Sequence, residues 1–391
     1  YAQAAAEARV LRCPTWLGIS RDMRIFQFDL RRQGEMWDSV MPRFHGTPVR
    51  IPEGGEKEMR YGFLLGRGWG CVEDMSRRLE DGTLPILHGC VRDGEVDYRF
   101  TTFVTLEKQS LEPDKLRGTH FLVADGHGGG HMFTGEQAEE FEKLLPREME
   151  REEETVLCFR ARALNTGRTP RYAWLHALAP MPIPQEEWSI DGDGLSLLNG
   201  SGRVFALQKL NGEPMPHKEV AVLLAPGESA TFEFYLPHRP VPRERAETLG
   251  GCDFDQKHAE CRTYWHDKLK NGASVRLPEQ RIDEMVRAGL LHLDLVAYGI
   301  EPDDPVTACI GVYCPIGSES SPIIQFMDSM GWHDLARRAL EYFLAKQHED
   351  GFMQNFGGYM LETGPALWSM GEHYRYTRDE DWVRRIAPKL I

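Results

Sequence analysis

The chain has 391 residues, of which 41% are hydrophobic and 27% charged, so its composition is that of an ordinary globular protein with two or three domains. Its formal net charge is −14 and its pI is about 5.5. This charge repels phosphate backbones and anionic lipid, and no apolar run reaches the roughly 20 residues that span a bilayer. Neither nucleic acid nor a membrane is therefore predicted as a partner.

Residues 1–7 lack the basic segment of a signal peptide, and the chain stops on the apolar, uncapped Ile391. We expect both ends to be cut from a longer protein, which leaves the location, bacterial cytoplasm or exported, open. The eight cysteines are scattered without zinc spacing, which favours buried thiols over a disulfide framework. No metal and no cofactor is predicted.

Up to about residue 250 the sequence consists of short alternating runs separated by turn residues. The clearest runs are residues 98–105, 159–164, 219–224 and 231–236, and Pro226-Gly227 lies between the last two. Many short strands without long helices predict an antiparallel β-sandwich. One acidic helix, residues 135–154, interrupts them.

A glycine cluster, residues 125–131, follows a predicted strand at residues 121–124. Its histidines and glycines could suggest a phosphate cradle or a metal site. No helix of the type that such a cradle needs opens there, so a flexible hairpin loop is the favoured interpretation.

Near Cys252 the apolar spacing changes from two to about 3.6 residues, which predicts helices from this point on. A linker helix carries a stripe of Phe254, His258, Cys261, Trp265 and Leu269. Further helices are predicted at residues 279–298, 323–330, 334–347, 362–375 and from 379 onward.

Long and short connections alternate between these predicted helices. The polar segments 301–322 and 350–360 are long, whereas Gly331-Trp332-His333 and Thr377-Arg378-Asp379 are tight turns. Helical hairpins arranged in a ring would place both long segments on one face. Loops of this length in a compact domain are usually functional.

Three stretches resemble the six-hairpin glycosidases: residues 264–269 with 275–279, residues 328–332 with 335–342, and residues 371–379 with Trp382. The resemblance implies an N-terminal supersandwich-like β-sandwich over residues 1–250, a linker helix over 251–278, and an (α/α)6 barrel beginning at 279. Only the first hairpins of that barrel fall within the chain. The chain as printed is therefore expected to be inactive, with a second catalytic carboxylate beyond residue 391.

Glycoside hydrolysis needs two carboxyl groups, and the resemblance favours the inverting arrangement. Glu319, among small hydroxyl residues on the segment before residue 323, is the candidate catalytic residue; the alternative is a helix cap. Glu362 is a candidate for sugar binding or a helix-start carboxylate. Asp328 is assigned to substrate binding with a turn cap as its alternative, and Glu372 is interpreted as structural.

Aromatic platforms and amides complete the predicted site, because sugars present apolar faces as well as hydroxyls. Trp368 is assigned to packing inside its helix. The candidate substrate-binding residues are Tyr313, Phe352, Gln354, Asn355, Phe356 and Tyr359.

The resulting prediction is an inverting glycoside hydrolase acting on an oligosaccharide or polysaccharide. A glycoside phosphorylase of the same architecture and a non-catalytic carbohydrate-binding protein are the alternatives. A polysaccharide lyase is disfavoured, since those toroids precede their sandwich. The sugar, the linkage, the stereochemical outcome and the oligomeric state stay open.

Overall fold

The computed structural model describes residues 13–30, 37–68, 70–353 and 362–391. Two antiparallel sheets occupy the first part of the chain and helices the rest, which confirms the predicted order of β then α. The first sheet consists of β1 (Thr15–Leu17), β2 (Arg24–Asp29), β3 (Asp38–Phe44), β4 (Thr47–Pro48), β5 (Tyr61–Leu65), β10 (Arg171–Pro180) and β15 (Glu219–Leu224). Its strand order is β1-β2-β3-β5-β10-β15, and β4 pairs with β3.

The second sheet has the order β11-β12-β13-β16-β9-β8-β7-β6, with β14 beside β13. Its long central strands are paired from Val96↔Asn165 to Leu106↔Thr155. The strands are β6 (Asp74–Glu80), β7 (Leu84–Asp93), β8 (Val96–Leu106), β9 (Thr155–Asn165), β11 (Trp188–Ile190), β12 (Leu195–Leu198), β13 (Val204–Leu210), β14 (Glu213–Pro214) and β16 (Ser229–Pro237).

Phenylalanine rings join the two sheets. Phe28 and Phe63 from the first sheet lie with ring centroids 6.1 Å and 4.9 Å from that of Phe159 in the second. Phe159 in turn stacks on Phe234 of β16 at 4.5 Å. Alternation along each strand directs these rings to the inner face, where their burial supplies much of the free energy of folding.

The helices continue the fold after the sandwich, apart from a 6-residue and a 15-residue helix that interrupt its strands. A two-stranded ribbon of β17 (Ala297–Tyr298) and β18 (Thr307–Ala308) lies between the fifth and sixth helices. The helices are α1 (Phe121–Gly126), α2 (Gly135–Met149), α3 (Arg243–Gly250), α4 (Phe254–Lys270), α5 (Gln280–Leu295), α6 (Gly317–Ser329), α7 (His333–Ala345), α8 (Thr363–Thr377) and α9 (Glu380–Leu390).

Two predicted assignments are wrong. The run predicted as a strand at residues 121–124 is helix α1, whose second backbone N–H, that of Leu122, donates to the ring of His120. Four apolar residues carry too little periodicity to separate strand from helix. The residues around Glu319, predicted as loop, are the first turns of α6, where the Ser321 hydroxyl donates to the Gly317 carbonyl at 2.6 Å.

Two hydrophobic cores organise the chain. The first fills the sandwich and includes the linker helix through Phe254, Cys261 and Trp265, as the predicted stripe requires. It also takes Leu291 and Leu295 from α5. The second core lies among α6–α9 and includes Ile324, Met327, Leu340, Phe343, Ala366, Met370 and Trp382. The domain boundaries drawn from sequence stay predictions.

All eight cysteines are free, and five of them are buried, in agreement with the prediction of isolated thiols. Within the described ranges, no helix combines the length and the apolar character that crossing a membrane requires.

Candidate functional site

Helices α6 and α8 lie side by side and run parallel. At their amino ends the Ser318 backbone N–H donates to Glu362 Oε2 at 2.7 Å. Toward their carboxyl ends His373 Nδ1 lies 2.9 Å from Asp328 Oδ1. We call the end of this helix pair at Ser318 and Glu362 the near end, and the end at Asp328 and His373 the far end. Helices α6 and α8 therefore begin at the same end of the helical layer.

A glycine and a buried carboxylate join the two helices at the near end. A Cβ at Gly317 would overlap the Glu362 carbonyl oxygen, so only glycine allows the backbones to approach this closely. Glu362 is 1% exposed, and its second oxygen accepts from the Ser318 hydroxyl at 3.1 Å. Glu362 thus satisfies the amino terminus of α6, where the helix dipole also favours a negative charge.

Glu319 differs from Glu362 in being exposed on the first turn of α6. Its carboxylate makes no hydrogen bond or ion pair with any described residue. Its carboxylate therefore remains available to a ligand at the near end.

A cavity of about 430 Å³ opens between the first turns of α6 and α8. Trp368 presents its indole there with 54% of its surface exposed, which corrects the assignment of this residue to packing. Gln325 also lines the cavity, and its Nε2, itself shielded from solvent, has no hydrogen-bond acceptor among the described residues. The remaining lining residues are Ser318, Ser321, Pro322, Gly364 and Pro365.

Sequence reasoning missed Gln325 because the helix was predicted to start at residue 323. With α6 beginning at Gly317, the spacing of Ser318, Ser321 and Gln325 is i, i+3 and i+7, which places them on one helical face. An earlier start for the helix would have exposed this signal.

The sandwich also reaches the near end, through the glycine cluster. The Gly129 N–H donates to the Val312 carbonyl at 2.8 Å, and the Cys314 N–H donates to the Gly129 carbonyl at 3.0 Å. Tyr313 lies between them and is 50% exposed. Because the cluster follows the carboxyl end of α1, whose dipole is negative, it is a poor phosphate cradle.

His127 of this cluster is held neutral at ordinary pH. Its Nδ1 lies 2.8 Å from the Thr47 hydroxyl, and its Nε2 is buried without a partner among the described residues. Burial, and then the neighbouring His131, lower the pKa of His127 to about 4.

A buried ion pair fixes the sandwich to the helices. Asp125, fully buried at the end of α1, pairs with Lys346, the residue that follows α7. Its other oxygen accepts from the Tyr342 hydroxyl at 2.7 Å. Burial, followed by the charge of Asp125, raises the pKa of Tyr342, so the hydroxyl stays protonated and donates.

The structure does not bring Asp328 to the candidate site. Asp328 is 2% exposed at the far end and is bonded to His333 and His373. Ten residues of helix separate it from Ser318, about 15 Å along the axis. Its burial and its two imidazole partners argue against the substrate-binding assignment and make it a buried helix residue that joins His333 and His373.

Phe352, a predicted substrate-binding residue, is partly buried, and its backbone N–H donates to Asp350 Oδ1 at 3.1 Å. The other predicted residues divide into two groups. Glu372 is partly buried in α8 with Arg375 at 3.5 Å, as a structural residue would be. The predicted sugar-binding residues Gln354, Asn355, Phe356 and Tyr359 lie outside the described residues. Among the described residues, only Glu80, His88 and His258, on the sandwich side, gather three ligand atoms suited to a metal.

No protein-family profile and no curated protein matches the sequence. One solved structure, described as "Putative kojibiose phosphorylase from human microbiome", is similar over 95% of this chain, with a TM-score of 0.37 and 8% sequence identity. The chain spans 58% of the length of that protein. A likeness of this size identifies neither a family nor an activity, so both are proposed below from the geometry.

Proposed function

We propose that this chain belongs to a glycoside-cleaving enzyme that binds an oligosaccharide at the near end of α6 and α8. The observation that carries the proposal is the cavity lined by an exposed indole, two serines and an amide that has no acceptor among the described residues. The first turn of α6, which contributes Ser318 to this lining, also carries the exposed Glu319. An indole packs on the apolar face of a sugar ring, and amides and hydroxyls bind its hydroxyl groups. Tyr313, half-exposed on the segment that precedes α6, is a second aromatic candidate for sugar binding.

In this proposal Glu319 acts as the general acid that protonates the leaving oxygen. Glu362 is less suited to proton transfer, because both of its oxygens accept hydrogen bonds from Ser318. It positions the first turn of α6 and thereby Glu319. The supersandwich and incomplete (α/α)6 barrel form the architecture proposed for the enzyme, with α6 and α8 as inner helices.

Hydrolysis and phosphorolysis differ in whether water or phosphate attacks the sugar. The assay with and without phosphate, described below, separates these two reactions. A carbohydrate-binding protein without catalysis would use the same Trp368 and Gln325 but would not need Glu319.

The first experiment measures oligosaccharide binding by residues 1–391 with a glycan panel and calorimetry. Trp368→Ala is expected to weaken binding by about tenfold, or about 1.4 kcal/mol. Trp188→Phe, a substitution inside the sandwich core, serves as the control and should retain the affinity. Unchanged binding by Trp368→Ala would remove the cavity from the proposal.

The second experiment measures cleavage of aryl glycosides, with and without phosphate, by the protein encoded in the intact gene. Glu319→Gln is expected to lower kcat by about 10²- to 10⁴-fold, while Asp334→Asn on the exposed start of α7 leaves kcat unchanged. Phosphate-dependent turnover would select the phosphorylase. Binding without turnover in either condition would select the non-catalytic alternative.

A further inference from the structure

Glu80, His88 and His258 converge on one point at the surface between the second sheet and the linker helix. Glu80 ends β6, His88 lies in β7 and His258 lies in the first turns of α4. Glu80 Oε2 lies 2.9 Å from His88 Nε2 and 2.7 Å from His258 Nε2. All three atoms lie within 4.8 Å of one another.

We propose that these three residues form a zinc site that fastens the linker helix to the sandwich. Two histidines and one glutamate are a ligand set that zinc uses in proteins, with water completing the tetrahedron. The inference uses no residue of the proposed sugar site and does not depend on it.

A small movement of the three side chains would bring their ligand atoms to coordination distance from a zinc ion. Ligands about 2.0–2.1 Å from a tetrahedral zinc are about 3.3 Å apart. The two contacts of Glu80 with His88 and His258 would therefore open by about half an ångström, and the two rings would close in. Rotation of three side chains supplies this, since 22% and 26% of the two imidazole side chains remain exposed.

Neighbouring groups already orient the ligands in the way that metal sites require. The Thr101 hydroxyl lies 2.9 Å from His88 Nδ1, so it accepts from that nitrogen once Nε2 binds metal. Arg262 Nε lies 2.8 Å from the other oxygen of Glu80, Oε1, which leaves Oε2 to coordinate.

The charges around the three ligands do not repel a cation overall. Arg262 and the exposed Arg78, which pairs with His88 across β6 and β7, bring positive charge. Asp81 contacts Arg262 at 3.5 Å, and the Glu284 side chain packs against Gly82 in the same turn. Counting Glu80 itself, three carboxylates and two arginines therefore surround the proposed site.

The test is calorimetric titration of the chelator-treated chain with Zn²⁺, alongside the visible spectrum with Co²⁺. One equivalent of zinc is expected to bind and to raise the Tm, and Co²⁺ is expected to give the intense absorption of a tetrahedral site. His88→Ala and His258→Ala should each weaken zinc binding by more than about tenfold, and Thr101→Val by about tenfold.

Two further variants keep the outcome interpretable. Glu80→Gln preserves a hydrogen-bonding side chain but is a poor ligand, so it should lose zinc while circular dichroism stays unchanged. His266→Ala removes a histidine from the same face of α4, where His266 contacts Asp81 at 3.2 Å, and should retain full binding. Zinc binding that survives His88→Ala and Glu80→Gln, or no zinc binding by the unmodified chain, would overturn the proposal.

Discussion

The two ends of the α6 and α8 pair are built from similar residues and differ in what is left unpaired. At the far end Asp328 is buried and accepts from His333 and His373. At the near end Glu362 is equally buried and accepts from Ser318, but Glu319 and Trp368 remain exposed. The comparison teaches that a carboxylate near a helix end is a candidate for chemistry only when its neighbours leave it without partners.

The largest effect is expected where the near end meets the sandwich. Lys346→Met should lower the free energy of unfolding by about 3–5 kcal/mol, because it leaves Asp125 buried without its partner cation. Chemical denaturation measures the change, with the exposed Lys143→Met as a control. A loss below 1 kcal/mol would mean that the ion pair does not fasten the near end.

A substitution at the far end is expected to lower the stability of the protein without changing its oligosaccharide affinity. Asp328→Ala is expected to cost about 3 kcal/mol, since two histidine donors lose their acceptor and the His373 ring is 1% exposed. Oligosaccharide affinity should stay the same in the folded variant. If affinity fell with stability, the two ends would not be separable, and Asp328 would return as a candidate for substrate binding.

Acid should weaken the near end through His127. Its folded pKa of about 4 lies below the unfolded value of about 6.5, so the unfolded chain takes up the proton first as the pH falls. The contribution of neutral His127 to the free energy of unfolding is therefore fully present above pH 6.5 and declines by about 1.4 kcal/mol per pH unit toward pH 4. His127→Asn should remove this one contribution from the pH dependence of the denaturation curves, while the buried His45 and His238, whose pKa values burial lowers to about 4 and about 3, keep theirs. The exposed His217→Asn should leave the pH dependence unchanged.

The smallest effect is expected from the cap at the near end. Glu362→Ala removes the acceptor of the Ser318 N–H and should cost about 1 kcal/mol. Because the first turn of α6 also carries Glu319 and lines the cavity, affinity should fall as well. Denaturation and calorimetry on the same variant measure both. Reduced stability with full affinity would show that the cap does not position the site.

Part of the candidate site follows from local sequence. The place of Glu319 among small hydroxyl residues makes it a candidate, as does the place of Tyr313 on a long segment between helices. Trp368 and Gln325 were not, because their exposure depends on how α6 and α8 pack. The pairing of Glu362 with Ser318 joins residues 44 positions apart, which no local pattern encodes.

The sequence by itself determined the order of β then α, the linker stripe at Phe254, Cys261 and Trp265, and the isolation of the cysteines. These features depend on periodicity and composition, which a chain carries locally. Tertiary structure alone decided that α6 begins at Gly317, that Asp328 and Glu362 are satisfied while Glu319 is free, and that the glycine cluster docks on Val312 and Cys314. Each of these depends on a partner distant in sequence, whose approach only the folded chain fixes.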